Sequence, residues 1–98
     1  MAAYVIVEVT IHDNELYERY KKLAPAAVAA YEGRFVVRGG QAEALEGDWQ
    51  PQRVVVLQFP SVEKAKAWWA SPKYTPAKQI RQKAATTKML VVEGVLPV

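Results

Sequence analysis

Residues 31–59 read YEGRFVVRGGQAEALEGDWQPQRVVVLQF, and this stretch decides the fold. It contains two runs rich in β-branched and aromatic residues on either side of a turn at 47–51, and such residues favour pleated strands. Gly39 and Gly40 interrupt the first run, and paired glycines in a strand usually mark a bulge or a close backbone approach. The stretch therefore predicts a central β-hairpin, to which the rest of the chain adds flanking elements.

A strand and a helix precede the hairpin. Residues 4–11 are the predicted first strand, and Asp13 or Asn14 then caps a helix, because short polar side chains satisfy its first amides. We expect Pro25 to kink or split this helix, and Gly33 to end it. Apolar residues at helical spacing predict the face that meets the core: Leu16, Tyr20, Leu23, Ala27 and Tyr31.

A second helical region and a strand follow the hairpin. Ser61 caps a helix that Ser71-Pro72 interrupts, a third helical segment covers roughly 74–85, and the last strand covers 88–94 before a tail at 96–98. The order is β-α-β-β-α-β, which predicts an α+β, ferredoxin-like fold with both helical regions on one face of an antiparallel sheet. One domain accounts for residues 1–98.

Composition limits the classes of function. The 98 residues include no cysteine, which excludes disulfides, thiol catalysis and thiolate metal sites. The apolar start is too short for a signal peptide or membrane span, so we expect a cytoplasmic protein without a membrane partner. The charge of +3 is concentrated in lysines and arginines between Glu63 and Glu93. A solvated basic surface explains them more simply than nucleic acid, because no aromatic stacking motif accompanies them.

Both faces of the predicted sheet are apolar. Alternation along the strands assigns to the helix-covered face Val5, Val7, Val9, Phe35, Val37, Val55, Leu57, Phe59, Leu90 and Val92. The opposite face then collects Ile6, Val36, Val54, Val56, Met89 and Val91, beside Glu8, Arg38 and Gln58. The second face is too apolar for water and has no helix left to cover it. We therefore expect the same face of a second copy to cover it, forming a homodimer.

The chain resembles, over nearly its whole length, the domain-of-unknown-function family thirteen-thirty of the dimeric α/β-barrel superfamily. The features that carry the resemblance are Tyr17, Tyr20, Pro25, 29–31, 33–35, 37–40, 45–49, Arg53, 59–61, 67–68, 71–72, Tyr74, Arg81 and 92–94. Glu32 departs from the pattern where a glycine is common, and so does Pro76. The resemblance implies a small dimeric barrel without an agreed activity, in a superfamily that includes cofactor-free monooxygenases, haem-degrading enzymes, isomerases and decarboxylases.

Arg38 is the first candidate site residue. Strand alternation turns it away from the helices, beside Gly39, where a guanidinium suits a carboxylate, phosphate or enolate oxygen. The alternative is an ion pair with a glutamate that closes the dimer: Glu8, Glu46 or Glu93.

Three further residues are candidates. His12 is the only histidine, and it is a general base, a single axial haem ligand or an exposed loop residue. Tyr74 and Arg81 lie two helical turns apart, so one face can present a hydroxyl and a guanidinium to a ligand. Otherwise Tyr74 covers the core and Arg81 pairs with Glu46 or Asp48.

The sequence supports a homodimer with a small-molecule pocket between sheet and helices. The predicted ligand-binding residues are Arg38, Glu8, Gln58, Tyr74 and Arg81, and the catalytic candidates are Arg38, Tyr74 and His12. The ligand is anionic or oxygen-rich, and an enzyme of this kind would be a monooxygenase, isomerase or lyase that needs no cofactor and no metal. The alternative is a non-catalytic binding or assembly module with a filled interface. The sequence does not decide whether the protein is an enzyme.

Overall fold

The structure is a computed structural model that describes residues 1–95. Its elements are β1 (Ala3–Ile11), α1 (Asn14–Ala30), β2 (Arg34–Arg38), β3 (Arg53–Phe59), α2 (Val62–Ala70), α3 (Thr75–Ala84) and β4 (Ala85–Glu93). The strands form one sheet in the order β2-β3-β1-β4, and every neighbouring pair is antiparallel. The predicted α+β, ferredoxin-like fold is confirmed. The predicted tail at 96–98 lies outside the described residues.

The core lies between the helices and one face of the sheet, which we call the inner face. Its valines on β1 and β3 are buried as predicted, beside Phe59 and Trp68. On α1 the buried residues are Tyr17, Ala24, Ala27 and Val28, whereas Leu23 is 48% exposed. The predicted core-facing stripe on α1 was therefore rotated relative to the observed one. Its assignment of Leu23 to the core was wrong.

Local capping rules hold at the helix starts. The Asp13 carboxylate accepts a hydrogen bond from the Leu16 amide at 3.0 Å, and the Ser61 hydroxyl accepts one from the Lys64 amide at 3.1 Å. Each bond satisfies one of the amides that a helix start leaves without an internal partner. The predicted caps are confirmed.

Pro25 does not split α1, which is a single helix of 17 residues. A proline has no amide hydrogen, so the carbonyl four residues earlier, on Lys21, loses its helical partner. The Arg38 guanidinium donates to that carbonyl from Nη2 at 2.8 Å. An arginine on β2 therefore replaces the hydrogen bond that the proline removes.

The end of α1 uses a non-glycine residue in a left-handed conformation. The Gly33 amide donates to the Val28 carbonyl at 2.9 Å and the Glu32 amide to the Ala29 carbonyl at 3.0 Å, a Schellman arrangement. The residue with positive φ, at 62°, is Glu32. Gly33 instead occupies a position where a Cβ atom would lie 2.5 Å from the Phe59 ring. Gly33 is thus required for packing rather than for the turn.

A bulge in β2 reverses the direction of Arg38. The pairing with β3 shifts between Phe35 and Val37, so Arg38 faces Val55 and shares the inner face with it. One extra residue in a strand moves every later side chain to the opposite face. The prediction that Arg38 points away from the helices is therefore wrong.

The face assignment of β4 was also wrong. Met89 and Val91 pack against the core, whereas Leu90 is 56% exposed and Val92 is exposed beside it. Residues 89–92 are all apolar, so their alternation carried no signal. β4 also begins three residues earlier than predicted, because α3 passes directly into it at Ala85.

The face of the sheet opposite the helices, which we call the outer face, carries an aliphatic row across all four strands. Strand register places Val37 beside Val56, Val56 beside Ile6, and Ile6 beside Leu90. We call these four residues the outer row. Three of them are exposed large apolar residues, and no described helix covers them.

A loop of residues 39–52 connects β2 to β3, in place of the tight hairpin expected. Trp49 in this loop donates from Nε1 to the Glu8 carboxylate on the outer face at 2.7 Å. None of the helices in residues 1–95 combines the length and apolar character that crossing a bilayer requires.

Candidate functional site

Four polar side chains form a connected network in the core. Tyr20 of α1 and Tyr74, just before α3, share a hydrogen bond of 2.7 Å between their hydroxyls. Arg81 of α3 donates from Nε to the Tyr74 hydroxyl at 3.3 Å and from Nη1 to the Thr87 hydroxyl on β4. The network therefore connects both helical regions to the sheet. The predicted proximity of Tyr74 and Arg81 across two helical turns is observed.

Arg81 is a buried cation without an acidic partner. The residue is 4% exposed, and among residues 1–95 no carboxylate lies within 4.0 Å of its guanidinium. The suggested ion pair with Glu46 or Asp48 is absent from the described residues. Nη2 makes no hydrogen bond there either, and it is not among the enclosed atoms that lack a partner. This nitrogen is therefore available to a ligand oxygen.

Tyr20 keeps its proton over the physiological range. Burial raises the pKa of its hydroxyl well above the ordinary value, and the adjacent Tyr74 hydroxyl raises it further, while Arg81 has an opposing effect. Tyr20 therefore acts as a neutral hydroxyl that can donate or accept a hydrogen bond. Tyr20 does not offer a phenolate at neutral pH.

Ser71 fixes the position of Tyr74. Its hydroxyl donates to the Trp68 carbonyl at 2.7 Å and accepts from the Tyr74 amide at 3.1 Å, in a buried connection between α2 and α3. The Trp68 and Tyr74 rings lie 4.2 Å apart, and Trp68 also contacts Phe59 at 5.2 Å between centroids. These rings form an apolar wall behind the polar network.

A cavity of about 630 Å³ opens beside this network, between α2, α3 and β4. Such a volume is typical of pockets for small organic molecules. Its lining combines apolar and aromatic groups with the Arg81 guanidinium; the main members are Lys66, Trp68, Trp69, Arg81, Thr87 and Met89. The arrangement suits a small molecule with an apolar body and an oxygen directed at Arg81.

The structure does not bring the five predicted ligand-binding residues together. Tyr74 and Arg81 share the network, whereas Glu8 and Gln58 lie on the outer face, across the sheet. Glu8 accepts from Trp49, and Gln58 accepts from Arg34 Nη2 at 2.7 Å. One pocket therefore cannot be lined by all five: strand alternation had placed Arg38, Glu8 and Gln58 together on the face opposite the helices, but only Glu8 and Gln58 lie there.

Arg38 lies at the β2 edge of the inner face. Its guanidinium lies 4.4 Å from the Phe35 ring centroid and donates to the Lys21 carbonyl. The suggested ion pair with Glu8, Glu46 or Glu93 does not occur within residues 1–95. Whether Arg38 contacts a ligand stays a prediction.

His12 is exposed at the end of β1. Its Nε2 lies 2.6 Å from the Thr86 hydroxyl, and its amide donates to the Ala84 carbonyl at 2.8 Å. It is not part of the network, although its partner Thr86 precedes the network residue Thr87 and also lines the cavity. A catalytic role for His12 stays a prediction. The described residues contain no group of three or more acidic or histidine side chains that could hold a metal ion.

The sequence model of the family described as "Domain of unknown function (DUF1330)" matches residues 2–95. The chain belongs to this family. No curated protein matches the sequence. Membership confirms the resemblance that the glycine, tryptophan and proline motifs indicated, and it leaves the activity open.

Solved structures share the fold of this DUF1330 chain. A protein of unknown function from Rhodopseudomonas palustris is 20% identical with a TM-score of 0.77, covering 98% of this chain and 84% of that one. SnoaB, a cofactor-independent oxygenase from Streptomyces nogalater, is 14% identical with a TM-score of 0.67, covering 99% and 96%. A dimeric protein of unknown function and ferredoxin-like fold from Bacteroides fragilis is 14% identical with a TM-score of 0.64, covering 95% and 96%. These likenesses establish the fold alone.

Two members of the network were missed as site residues. Tyr20 was assigned only to the core-facing stripe, and Thr87 was placed before the last strand. The signal for Tyr20 was a hydroxyl on an apolar stripe, because a buried tyrosine hydroxyl usually needs a partner. Thr87 gave no usable signal, because its role depends on β4 beginning directly after α3.

Proposed function

We propose that this DUF1330 protein is a homodimeric α/β barrel that binds a small anionic or oxygen-rich molecule in the cavity beside Arg81. The buried Arg81 guanidinium carries the proposal, because it lines the cavity without an acidic partner in residues 1–95. A buried cation is costly unless a counter-charge or hydrogen bonds compensate it. A ligand oxygen at Nη2 would supply both.

The proposed chemistry needs no cofactor. Arg81 would stabilise negative charge as it develops on a ligand oxygen. Tyr20 and Tyr74 do not line the cavity, so they would act on the ligand only through Arg81. Tyr74 is completely buried, so it acts as a positioning residue between Tyr20 and Arg81. The likeness to SnoaB, which is described as a cofactor-independent oxygenase, supports this class of reaction. A fold by itself does not select a reaction, so the substrate must be found by experiment.

A non-catalytic binding module is the second candidate. It is favoured by the burial of Tyr74, whose hydroxyl is already occupied by Tyr20 and Arg81. In that case Arg81 holds the ligand, and the two tyrosines only hold Arg81. Turnover of the bound molecule separates the two candidates.

The dimer part of the proposal rests on the outer row of Val37, Val56, Ile6 and Leu90. An apolar row of this width is a poor surface to leave in water, and a second copy can cover it with the identical row. The Bacteroides fragilis neighbour is described as dimeric, which supports the same arrangement. The proposed subunits pair through their outer faces, and Leu90 of the outer row also lines the cavity, which opens at the β4 edge of the sheet.

Light scattering tests the dimer. We expect a mass of twice the 11.0 kDa chain, and we expect Ile6→Lys to give a single chain because it places a cation inside the interface. Thr10→Lys is the matched control, since Thr10 lies on the same strand and face but outside the outer row. A single-chain mass for the wild-type protein, or a dimeric Ile6→Lys variant, would contradict the proposal.

Titration with anilinonaphthalene sulfonate, an apolar anion, tests the cavity. We expect Arg81→Met to weaken its binding at least about tenfold, the factor that 1.4 kcal/mol represents. Arg19→Met, on the exposed side of α1, removes the same charge and should change little. If Arg81→Met fails to fold, Thr87→Val removes only one support of the guanidinium and should weaken binding in the same direction. Equal binding by the folded variants and wild type would exclude Arg81 as the ligand residue.

A further inference from the structure

Three cations surround a second opening on the inner face. Lys21 of α1, Arg38 of β2 and Arg53 of β3 all line a narrow cleft between α1 and the β2–β3 edge. Arg38 faces Val55, and Arg53 lies two residues before Val55 on the same strand. The two arginines are therefore diagonal neighbours on one face, with side chains that start about 7–8 Å apart.

Both guanidinium groups are fixed in place. Arg38 lies over the Phe35 ring and donates to the Lys21 carbonyl, which leaves Nε and Nη1 for another acceptor. Arg53 lies 5.4 Å from the Tyr17 ring centroid. Cation–π contacts of this kind hold an arginine without using its hydrogen-bond donors.

Gly39 provides the space for Arg53. A Cβ atom at Gly39 would collide with the Arg53 guanidinium, and the φ angle of 77° also favours glycine there. Arg53 can therefore lie against the start of the 39–52 loop. The glycine that follows Arg38 thus brings the second arginine next to the first.

Lys21, Arg38 and Arg53 meet at one corner of the inner face, which we call the corner. It lacks enough negative charge to balance these three cations. Among residues 1–95, neither Arg38 nor Arg53 has a carboxylate within 4.0 Å, and the Nε atom of Arg53 is buried without a hydrogen-bond partner. Glu18 is a nearby acid, and it pairs with Lys21 at 3.0 Å. The hydrogen bond from Lys21 is the main reason that the pKa of Glu18 is lowered, and Arg53 contributes a little. Three cations and one carboxylate leave two positive charges without compensation.

We propose that Lys21, Arg38 and Arg53 form a binding site for a phosphate group at this corner. A phosphate group carries between about one and a half and two negative charges at neutral pH, which matches the uncompensated charge. Guanidinium groups bind its oxygens with paired donors. The cleft below has a volume of about 20 Å³, room for about one water molecule and too little for a phosphate group, so the anion binds at the entrance and any attached group stays outside.

The site is independent of the function proposed above. The apolar cavity accepts the body of a small molecule, whereas the corner accepts only a compact anion at its surface. Lys66 lines the cavity but not the cleft, and Arg53 lines the cleft but not the cavity, so variants of these two residues show which opening a given anion uses.

Isothermal titration with inorganic phosphate tests the site, with chloride at equal ionic strength as the reference. We expect Arg53→Met and Arg38→Met each to weaken phosphate binding at least about tenfold, the loss expected for one charged hydrogen-bond donor group. Arg34→Met is the matched control, because Arg34 lies on β2 but pairs with Gln58 on the outer face. Arg38→Met also removes a bond to α1, so Arg53→Met is the decisive variant.

The outcomes are distinct. Phosphate binding that survives Lys66→Met but not Arg53→Met supports the corner site. Binding that Arg53→Met leaves unchanged, or no saturable binding by the wild-type protein, overturns it. The phosphate group could be free phosphate or the phosphoryl group of a larger molecule, and methyl phosphate distinguishes the two. Equal affinity indicates the phosphoryl group of a larger molecule, whereas loss of binding indicates free phosphate.

Discussion

The two helical crossovers of the sheet, α1 in the first and α2 with α3 in the second, respond differently to proline. In the first crossover, α1 continues through Pro25 as one helix. In the second crossover, the helix ends before Pro72, and a separate helix, α3, begins at Thr75 with Pro76 in its first turn. The two regions have the same place in the fold, on the same face of the same sheet, yet only one of them is broken.

The difference lies in what replaces the missing hydrogen bond. At Pro25, the Arg38 guanidinium reaches the Lys21 carbonyl from β2, so the helix loses no bond in total. Before Pro72, Ser71 adopts an extended conformation with ψ of 149°, as proline requires of its predecessor. Its hydroxyl donates to the Trp68 carbonyl in the last turn of α2 and accepts from the Tyr74 amide just before α3. A proline therefore ends a helix where a local cap is available, and it is tolerated where a distant donor compensates.

This break positions the candidate site. Because α2 and α3 are separate, Tyr74 turns into the core between them and meets both Tyr20 and Arg81. An unbroken second helix could not place Tyr74 and Trp68 with their rings 4.2 Å apart in this way. The continuous helix supplies a rigid support, and the broken one supplies the functional groups.

The largest expected effect comes from Ser71→Ala. It leaves the buried Tyr74 amide without its acceptor, and we expect a loss of about 2 kcal/mol in the free energy of unfolding. Ser61→Ala is the matched control, because Ser61 caps the other end of α2 at a more exposed position and should cost about 1 kcal/mol. Urea unfolding at one protein concentration measures both. A smaller cost for Ser71→Ala than for Ser61→Ala would contradict the assigned role.

The Tyr20–Tyr74 hydrogen bond joins the two crossovers. Comparing the pH dependence of stability in the wild type and Tyr20→Phe tests it. The pKa of Tyr20 is raised in the folded protein, so stability is complete below the ordinary tyrosine pKa of about 10 and falls as the pH rises above it. One retained proton corresponds to about 1.4 kcal/mol per pH unit. We expect wild-type stability to fall more steeply than that of Tyr20→Phe between pH 10 and 11, by about 1 kcal/mol, because the unfolded tyrosine is only half deprotonated at pH 10.

Urea unfolding midpoints at these pH values provide the measurement, with Tyr4→Phe as a control that removes a hydroxyl outside the network. Parallel curves for wild type and Tyr20→Phe would mean that Tyr20 titrates normally in the folded protein.

Sequence reasoning succeeded where the rule was local. Asp13 and Ser61 were identified as caps because a cap depends only on the next few residues, and the separation of Tyr74 from Arg81 was enough to place them together. It failed where a shift of one residue moves every later side chain of a strand to the opposite face of the sheet. Val36 and Val37 are both apolar, as are residues 89–92, so neither the bulge in β2 nor the inner face of β4 left a pattern to detect.

The donor at Pro25 could not be predicted for the same reason. Arg38 reaches α1 only because the bulge turns it to the inner face, and sequence alternation had turned it to the outer face. The contribution of Tyr20 to the network likewise depends on how α1 packs against α3, which is a tertiary contact. The polar network thus depends on packing that no local pattern encodes.

A double-mutant cycle at Pro25 and Arg38 tests the compensation itself. We expect Arg38→Met to cost about 1 kcal/mol of unfolding free energy in the wild-type background, the value of one hydrogen bond. In the Pro25→Ala background the new amide serves the Lys21 carbonyl, so the same substitution should cost clearly less. Urea unfolding of all four proteins gives the coupling energy. Arg34→Met is the control for loss of charge on β2, and equal costs in both backgrounds would reject the compensation.

Glu32→Gly gives the smallest expected effect, a gain. Glu32 holds a left-handed conformation at the end of α1, which costs a non-glycine residue roughly 1 kcal/mol. Its ion pair with Lys64, at 3.2 Å, is exposed and offsets little of this conformational cost. We expect Glu32→Gly to raise the free energy of unfolding by about 0.5 kcal/mol, because glycine also loses more backbone entropy on folding. Glu32→Ala separates the two contributions in urea unfolding: it removes the ion pair but keeps the strain, so it should be neutral or slightly destabilising. A gain for Glu32→Ala equal to that for Glu32→Gly would show that conformation is not the cause.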